Sequence, residues 1–252
     1  MTGRTSNKNE EKVENKVKSF FELSEKRTAL LNSLLALIVF LLVVFVADYI
    51  DLFFYQTFGN EKLAMISTYV LIAIILGLLY FKDLVKEFKI FIDNYDDFIS
   101  PMLKYYLVGL GCMIFFNLVL SSTIGSISAN EEGVREMLFK APLLSMSIIA
   151  ILAPFEEEIT FRKSFQPLIN NKWLYCIITA ILFGAVHLRI EFVTGTFELS
   201  HLLYILPYGS LGFGLAIMNY ETKSIFCSIF THMIHNGLTA LLLLAMHFMG
   251  VM

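Results

Sequence analysis

The chain has 252 residues, of which 57% are hydrophobic and 16% charged, and its 19 Lys and Arg against 22 Asp and Glu give a formal net charge of −3. A mean hydropathy of +0.69, with a charged fraction well below the roughly one quarter of soluble domains, excludes an ordinary water-soluble globule. The slight acidity gives no reason to expect nucleic acid, which calls for a clustered cationic surface. The composition predicts an all-α, polytopic membrane helical bundle of seven or eight transmembrane helices, since about 20 apolar residues cross the hydrocarbon core.

Residues 1–28 form a polar arm of mixed charge, with Arg4, Lys8, Lys12, Lys16, Lys18, Lys26 and Arg27 among acids, and read as solvated and partly disordered. The apolar run that follows is too long for a signal peptide and lacks a small-residue cleavage site. Spans are predicted from Ala29 to Ala47, extending past Asp48 and Asp51 toward Phe58, then from Leu63 to Phe81 and from Met102 to Leu120. The connector before the third span carries Lys82, Lys86 and Lys89 and closes at Pro101. A polar loop with Glu131, Glu132, Arg135, Glu136 and Lys140 leads to a fourth span from Pro142 to Phe165. Three more are expected from Leu174 to Leu188, His201 to Tyr220 and Ser224 to Met249. The chain therefore divides into the arm 1–28, N-terminal spans 29–141 and a C-terminal membrane core 142–252. The three cysteines, Cys112, Cys176 and Cys227, sit in apolar runs without C-x-x-C spacing and read as small, reduced packing residues. Lysine and arginine crowd the arm, the 82–101 connector and the turn around Arg162, Lys163 and Lys172, so the positive-inside rule predicts a cell-membrane protein with a cytoplasmic N-terminus.

Three polar constellations interrupt the C-terminal spans. In the fourth, Glu156, Glu157, Glu158 and Arg162 follow a ten-residue run free of ionisable groups. Each charge at the centre of a membrane helix costs roughly 2.5–3.5 kcal/mol on insertion scales, so such residues are as a rule partnered or functional. Glu158 and Arg162 are four apart and share a helix face, while Glu157 points about 100° away and is free for another partner. Pro154 removes a backbone hydrogen bond beside them. The bland reading is a helix leaving the membrane with its acids among headgroups; Ile159, Phe161 and Phe165, which continue the apolar pattern, argue against it. In the fifth span, Phe183 and His187 lie one turn apart, with Gly184 and Ala185 permitting close helix approach. In the seventh, His232 and Asn236 share a face and His235 lies about 60° round from His232. Structural polar glue remains an alternative for both. Counted at 1.5 Å per residue from the predicted cytoplasmic ends, Glu157, His187 and His232 lie roughly 14, 17 and 12 Å deep, which predicts one cavity reached from the cytoplasm.

E-E-x-x-x-R at Glu157–Arg162, F-x-x-x-H at Phe183–His187 and H-x-x-x-N at His232–Asn236, in this order on separate spans, resemble the CAAX-protease and bacteriocin-processing family of intramembrane endopeptidases, also called Abi or CPBP. The resemblance covers about residues 142–240. It implies that Glu157 with His187 activates a water for attack on a peptide carbonyl, that His232 and Asn236 donate to the developing oxyanion, and that Glu158, Arg162 and Phe183 support the site. The implied substrate is a membrane-associated or lipidated peptide, in maturation or bacteriocin immunity, with no cofactor; membrane lipid is the surrounding partner and oligomeric state is unreadable. Two rivals stand beside this. Glu157, His187 and His232 would also suit zinc with an open position for water, although no H-E-x-x-H is present. Membrane acids and histidines also serve proton-coupled transporters or a non-catalytic immunity partner. His201 and His247 sit near span ends and read as unrelated to the site. Pro207, Gly209, Gly212 and Gly214 suggest a loosened sixth span that opens an access gap.

Overall fold

The computed structural model describes the backbone of residues 3–125 and 127–251 and the side chains of residues 22–41, 49–125 and 127–251. The first helix, α1, runs from Gly3 to Phe58 without interruption, so the arm expected to be partly disordered is continuous with the first span. Lysine and glutamate are good helix formers, and Glu14–Lys18 and Glu22–Lys26 have the i, i+4 spacing that favours them in a helix. The same helix continues past Asp48 and Asp51 to Phe58, as the extension of the first span expected from the sequence. The side chains of the arm before Glu22, and Asp48, lie outside the described residues.

Helix α2 (Glu61–Leu79) pairs with α1, Asp51 of α1 accepting a hydrogen bond from Thr68. Tyr80 ends α2 and starts α3 (Phe81–Asp93), a strongly amphipathic helix that buries none of its residues. Helix α4 (Tyr95–Thr123) begins earlier than its sequence suggests and contains Pro101. The proline lies past the first turn of the helix, so it removes the backbone bond that its position would otherwise make to the Asp97 carbonyl. The polar loop after it holds α5 (Ala129–Lys140). Asn60, Ser128 and Asn171 begin α2, α5 and the helix from Lys172, their side-chain oxygens accepting from the backbone N–H of Leu63, Glu131 and Leu174 at 3.1, 3.2 and 3.0 Å.

The fourth predicted span is one continuous run with two wide turns in it: α6 (Pro142–Ser147), a π-helical turn (Ile148–Leu152), α7 (Ala153–Glu158) and a second π-helical turn (Ile159–Lys163). It is followed by α8 (Lys172–Val186), a short α9 (Arg189–Thr194), a 3-10 turn (Leu199–Tyr204), α10 (Ile205–Thr222) and α11 (Ile225–Phe248). Among the described residues, Glu61–Leu79, Tyr95–Thr123, Leu199–Thr222 and Ile225–Phe248 are long and apolar enough to cross a membrane, and α8 is a shorter apolar helix. With α1 and the 142–163 run these make a polytopic helical bundle.

Two sets of contacts define its ends. At one, Lys163 pairs with Asp83 and Glu87, Glu87 Oε2 accepts from the Ile225 N–H at 2.9 Å, Phe88 packs on Phe226, and Lys172 pairs with Glu221. At the other, the Ala129 N–H donates to Glu191 at 2.9 Å, Ser128 meets Tyr208 at 2.9 Å, Lys62 reaches the Lys140 carbonyl, and Phe139 stacks on His247 with centroids 4.0 Å apart. These are called the α3 end and the α5 end below.

The glycines of α10 do the opposite of loosening it. A Cβ at Gly214 would stand 2.6 Å from the Tyr105 carbonyl oxygen, and one at Gly212 would stand 2.9 Å from Phe183 Cδ1. Helix α10 therefore lies flush between α4 and α8, and the gap expected there is a seam. Gly184 closes the other side, its Cβ position 2.7 Å from the Ile205 carbonyl. Cys176 and Cys227 are buried free thiols, whereas Cys112 is exposed on α4 and packs against nothing in the core.

Candidate active site

The second half of the 142–163 run carries its charged residues into the middle of the bundle. Arg162 and Glu158 are both 0% exposed, one turn apart, with Arg162 Nε 3.4 Å from Glu158 Oε2. Arg162 also donates from Nη2 to the Gly212 carbonyl at 2.9 Å, and its guanidinium lies over the Phe183 ring, 4.6 Å from the centroid. The absence of a side chain at Gly212 makes room for both Arg162 and Phe183. The Tyr175 hydroxyl, held by Asn219 at 2.9 Å, donates to the Arg162 carbonyl at 3.3 Å. The second π turn thus leaves no backbone carbonyl of Arg162 exposed to apolar surroundings.

His232 of α11 stands between the two glutamates. Its Nδ1 is 3.0 Å from Glu158 Oε1, and its Nε2 is 3.7 Å from Glu157 Oε2. A carboxylate can only accept, so Nδ1 carries the hydrogen and Nε2 is turned to the Glu157 side. Glu157 itself keeps 20% of its side chain exposed, against 0% for Glu158. His187 ends α8; its Nδ1 is 2.6 Å from the Phe183 carbonyl, which likewise fixes the hydrogen on Nδ1 and leaves Nε2 with its lone pair. The ring stacks on Tyr208 with centroids 4.1 Å apart, and Phe183 touches both histidine rings.

Asn236 has a partner that the sequence did not announce. Its Nδ2 donates to the Ile149 carbonyl at 3.0 Å. That carbonyl is free for a backbone reason: in the π turn the Ala153 N–H bonds Ile148, and the next residue, Pro154, has no N–H to offer Ile149. The amide has a second hydrogen left for the cavity. His235 sits beside it, with Nδ1 3.3 Å from the Tyr106 hydroxyl.

Glu157, His187, His232 and Asn236 line one cavity of about 490 Å³, together with Phe183, His235, Tyr69 and Tyr208. The volume is of the size that holds a peptide segment or small molecule. Glu158 and Arg162 lie outside that lining, beneath His232. Tyr208 and Tyr106, which hold His187 and His235, were not legible as site residues, since nothing marks them among the chain's 11 tyrosines. Glu156, the additional acid, is buried with Oε1 unpartnered and is absent from the cavity wall. His201 belongs to a capping box at Glu198, away from the site.

Among the described residues no group of three or more His, Cys, Asp or Glu side chains is disposed to hold a metal ion.

The cavity draws its wall largely from one end of the bundle. Its walls come from the α5 end: Asn117 and Ser121 late in α4, Ser128, Glu131 and Arg135 around α5, and Thr239 and Leu243 late in α11. Toward the α3 end it is closed by the buried Glu158, Arg162, Tyr175 and Asn219. Depths of roughly 12–17 Å fall near the middle of a 30 Å hydrocarbon core, so counting residues could place the site at mid-membrane but could not choose a side.

Residues 139–238 match the family model described as type II CAAX prenyl endopeptidase Rce1-like. Among curated proteins, the chain is 28% identical over 149 residues to YdiL of Bacillus subtilis, named provisionally as a membrane peptidase, covering 58% of this chain and 50% of that one. It is 31% identical over 97 residues to YxdF of Lactococcus lactis, a UPF0177 protein, covering 38% of this chain and 49% of that one. The chain thus spans about half the length of the curated relatives it matches. No solved structure matches.

Proposed function

Because residues 139–238 belong to the Rce1-like CAAX-endopeptidase family, we propose that this protein is an intramembrane endopeptidase acting on a membrane-associated or lipidated peptide. The observation that carries the reading is the shared cavity wall of Glu157, His187, His232 and Asn236, with Glu158 clamped under His232.

In this reading Glu157, assisted by the free Nε2 of His187, takes a proton from a water whose oxygen attacks the peptide carbonyl carbon. General-base assistance of this kind contributes typically 10²–10⁴-fold. The carbonyl oxygen gains the electron pair of the C=O bond and is met by His232 Nε2–H and the second amide hydrogen of Asn236. Removing one oxyanion donor costs about 10²–10³ in kcat where this has been measured. Because Glu158 already holds the hydrogen on Nδ1, a hydrogen on Nε2 makes His232 an imidazolium. Its charge is balanced by Glu157, as that of Arg162 is balanced by Glu158. Collapse of the tetrahedral intermediate breaks the C–N bond and returns the proton from Glu157 to the leaving amine. No step passes through a metal, and no serine or cysteine acts as nucleophile.

The test is cleavage of a panel of lipidated and leader-bearing peptides by detergent-purified protein, comparing wild type with Glu157→Gln and His232→Ala, each with and without a strong zinc chelator. Activity that survives chelation and is lost in both variants supports the proposal. Loss on chelation with recovery on added zinc replaces it with a metallopeptidase. A folded preparation that cleaves nothing in the panel favours an immunity partner or a transporter.

A further inference from the structure

The placement of the cavity and the distribution of charge bear on a question that the catalytic reading leaves open, namely from which side of the membrane the peptide arrives. Among the described residues, the only lysines and arginines at the α5 end are Lys62, Arg135, Lys140 and Arg189. Lys26, Arg27, Lys82, Lys86, Lys89, Lys163, Lys172 and Lys223 all lie at the α3 end. The sequence adds Arg4, Lys8, Lys12, Lys16 and Lys18 before the first span. Basic residues in short loops and near span ends stay in the cytoplasm, so the α3 end is the cytoplasmic one. The cavity belongs to the other end. Its rim is made by α5 and the late turns of α4 and α11, and its floor is made by Glu157, His232 and Phe183. Below that floor a layer of wholly buried side chains, Glu158, Arg162 and Tyr175, separates it from the α3 end.

We propose that the cavity opens to the extracytoplasmic side, so that its substrate is a peptide segment presented from outside the membrane rather than the C-terminus of a cytosolic protein. The substrate half of this statement rests on the peptidase reading above; the sidedness does not. Three partly exposed polar residues of the wall at this end, Asn130, Glu131 and Arg135, give an incoming backbone hydrogen-bonding partners before it reaches the apolar interior, where unpaired peptide groups are costly. Glu131 and Arg135 pair at 2.9 Å while each keeps about a third of its side chain exposed.

The test is thiol accessibility in whole cells and needs no activity. Cys176 and Cys227 are buried, and only Cys112 is exposed, so Cys112→Ser gives a quiet background. Into it go three single substitutions: Thr239→Cys on the cavity wall, Glu132→Cys on the exposed face of α5, and Lys86→Cys on the exposed face of α3. A charged, membrane-impermeant maleimide is applied to intact spheroplasts and to permeabilised ones. The expected result is full labelling of the Thr239 and Glu132 variants in intact spheroplasts, with the Lys86 variant labelled only after permeabilisation. The reverse pattern overturns the orientation. A Thr239 variant that reacts only after permeabilisation, or not at all, while the Glu132 variant reacts from outside, overturns the outward opening of the cavity. A protein that labels as expected but cleaves no peptide would sink the peptidase reading and leave the sidedness standing.

Discussion

Glu157 and Glu158 differ by one position and about 100° of helical turn, and that rotation separates a group at a cavity wall from one sealed against a guanidinium and an imidazole. Glu158→Gln removes the counter-charge of a wholly buried Arg162 and turns the charge-assisted bond to His232 Nδ1 into a neutral one. Breaking a buried pair by deleting one partner costs about 3–5 kcal/mol, so thermal unfolding in detergent should show a large loss of stability. Glu157→Gln, by contrast, alters a side chain that keeps 20% of its surface exposed and whose ion pair with His232 is long, at 3.7 Å. It should leave the melting temperature close to wild type while lowering kcat by about 10²–10⁴. Asn236 offers a second test at this scale. Asn236→Ala strands the Ile149 carbonyl, at a cost of about 1–3 kcal/mol for a buried unsatisfied group. In a Pro154→Ala background the new N–H at position 154 reaches that same carbonyl, so the cost of Asn236→Ala should shrink. A double-mutant cycle that gave additive losses would show that Asn236 does not hold the wide turn.

The elements that position the site are held by contact distances rather than by charge. Helix α10 lies against α4 through Gly214 and Gly109, where an added Cβ would meet backbone at 2.6 and 3.1 Å; Gly111, one turn-face away on α4, would meet nothing within 4 Å. Gly214→Ala should therefore destabilise by about 1–3 kcal/mol through overpacking, and Gly111→Ala should be close to neutral, both read as shifts in thermal unfolding. Gly212→Ala belongs with the first. It would push on Phe183 and on Arg162 Nη2, 3.2 Å away, and so should also lower kcat. The wide turns show what propensity alone does not reveal. The sequence predicts one apolar span from Pro142 to Phe165, and one continuous helical run does lie there, but the two π turns around Pro154 and Arg162 depend on partners on α8, α10 and α11. Only Pro154 signalled that the backbone ladder would be interrupted.

At the level of the whole molecule, much of the arrangement was legible because membrane proteins punish polar residues inside them. The three motifs stand out against apolar surroundings, and the structure brings Glu157, His187, His232 and Asn236 to one cavity from three separate stretches of chain. What sequence could not supply was relative height and direction. Mid-depth residues look alike from either end, so which end of the bundle supplies the cavity wall became visible only when α5 and the late turns of α11 were seen to line it. The small residues of α10 misled for a related reason: glycine permits both loosening and close approach, and only the neighbouring helices decide between them.

Placing His232 on α11 and the glutamates on α7 also sets an order of manufacture. A chain emerging N-terminus first delivers Glu157, Glu158 and Arg162 to the membrane well before Ile225–Phe248 is made. In that interval Arg162, one turn away, is the partner that the sequence places in reach of Glu158, and Glu157 still waits for the imidazole. A nascent chain halted before Ser224 therefore carries at mid-membrane depth an acid whose imidazole partner has not yet been made, a costly arrangement within a membrane.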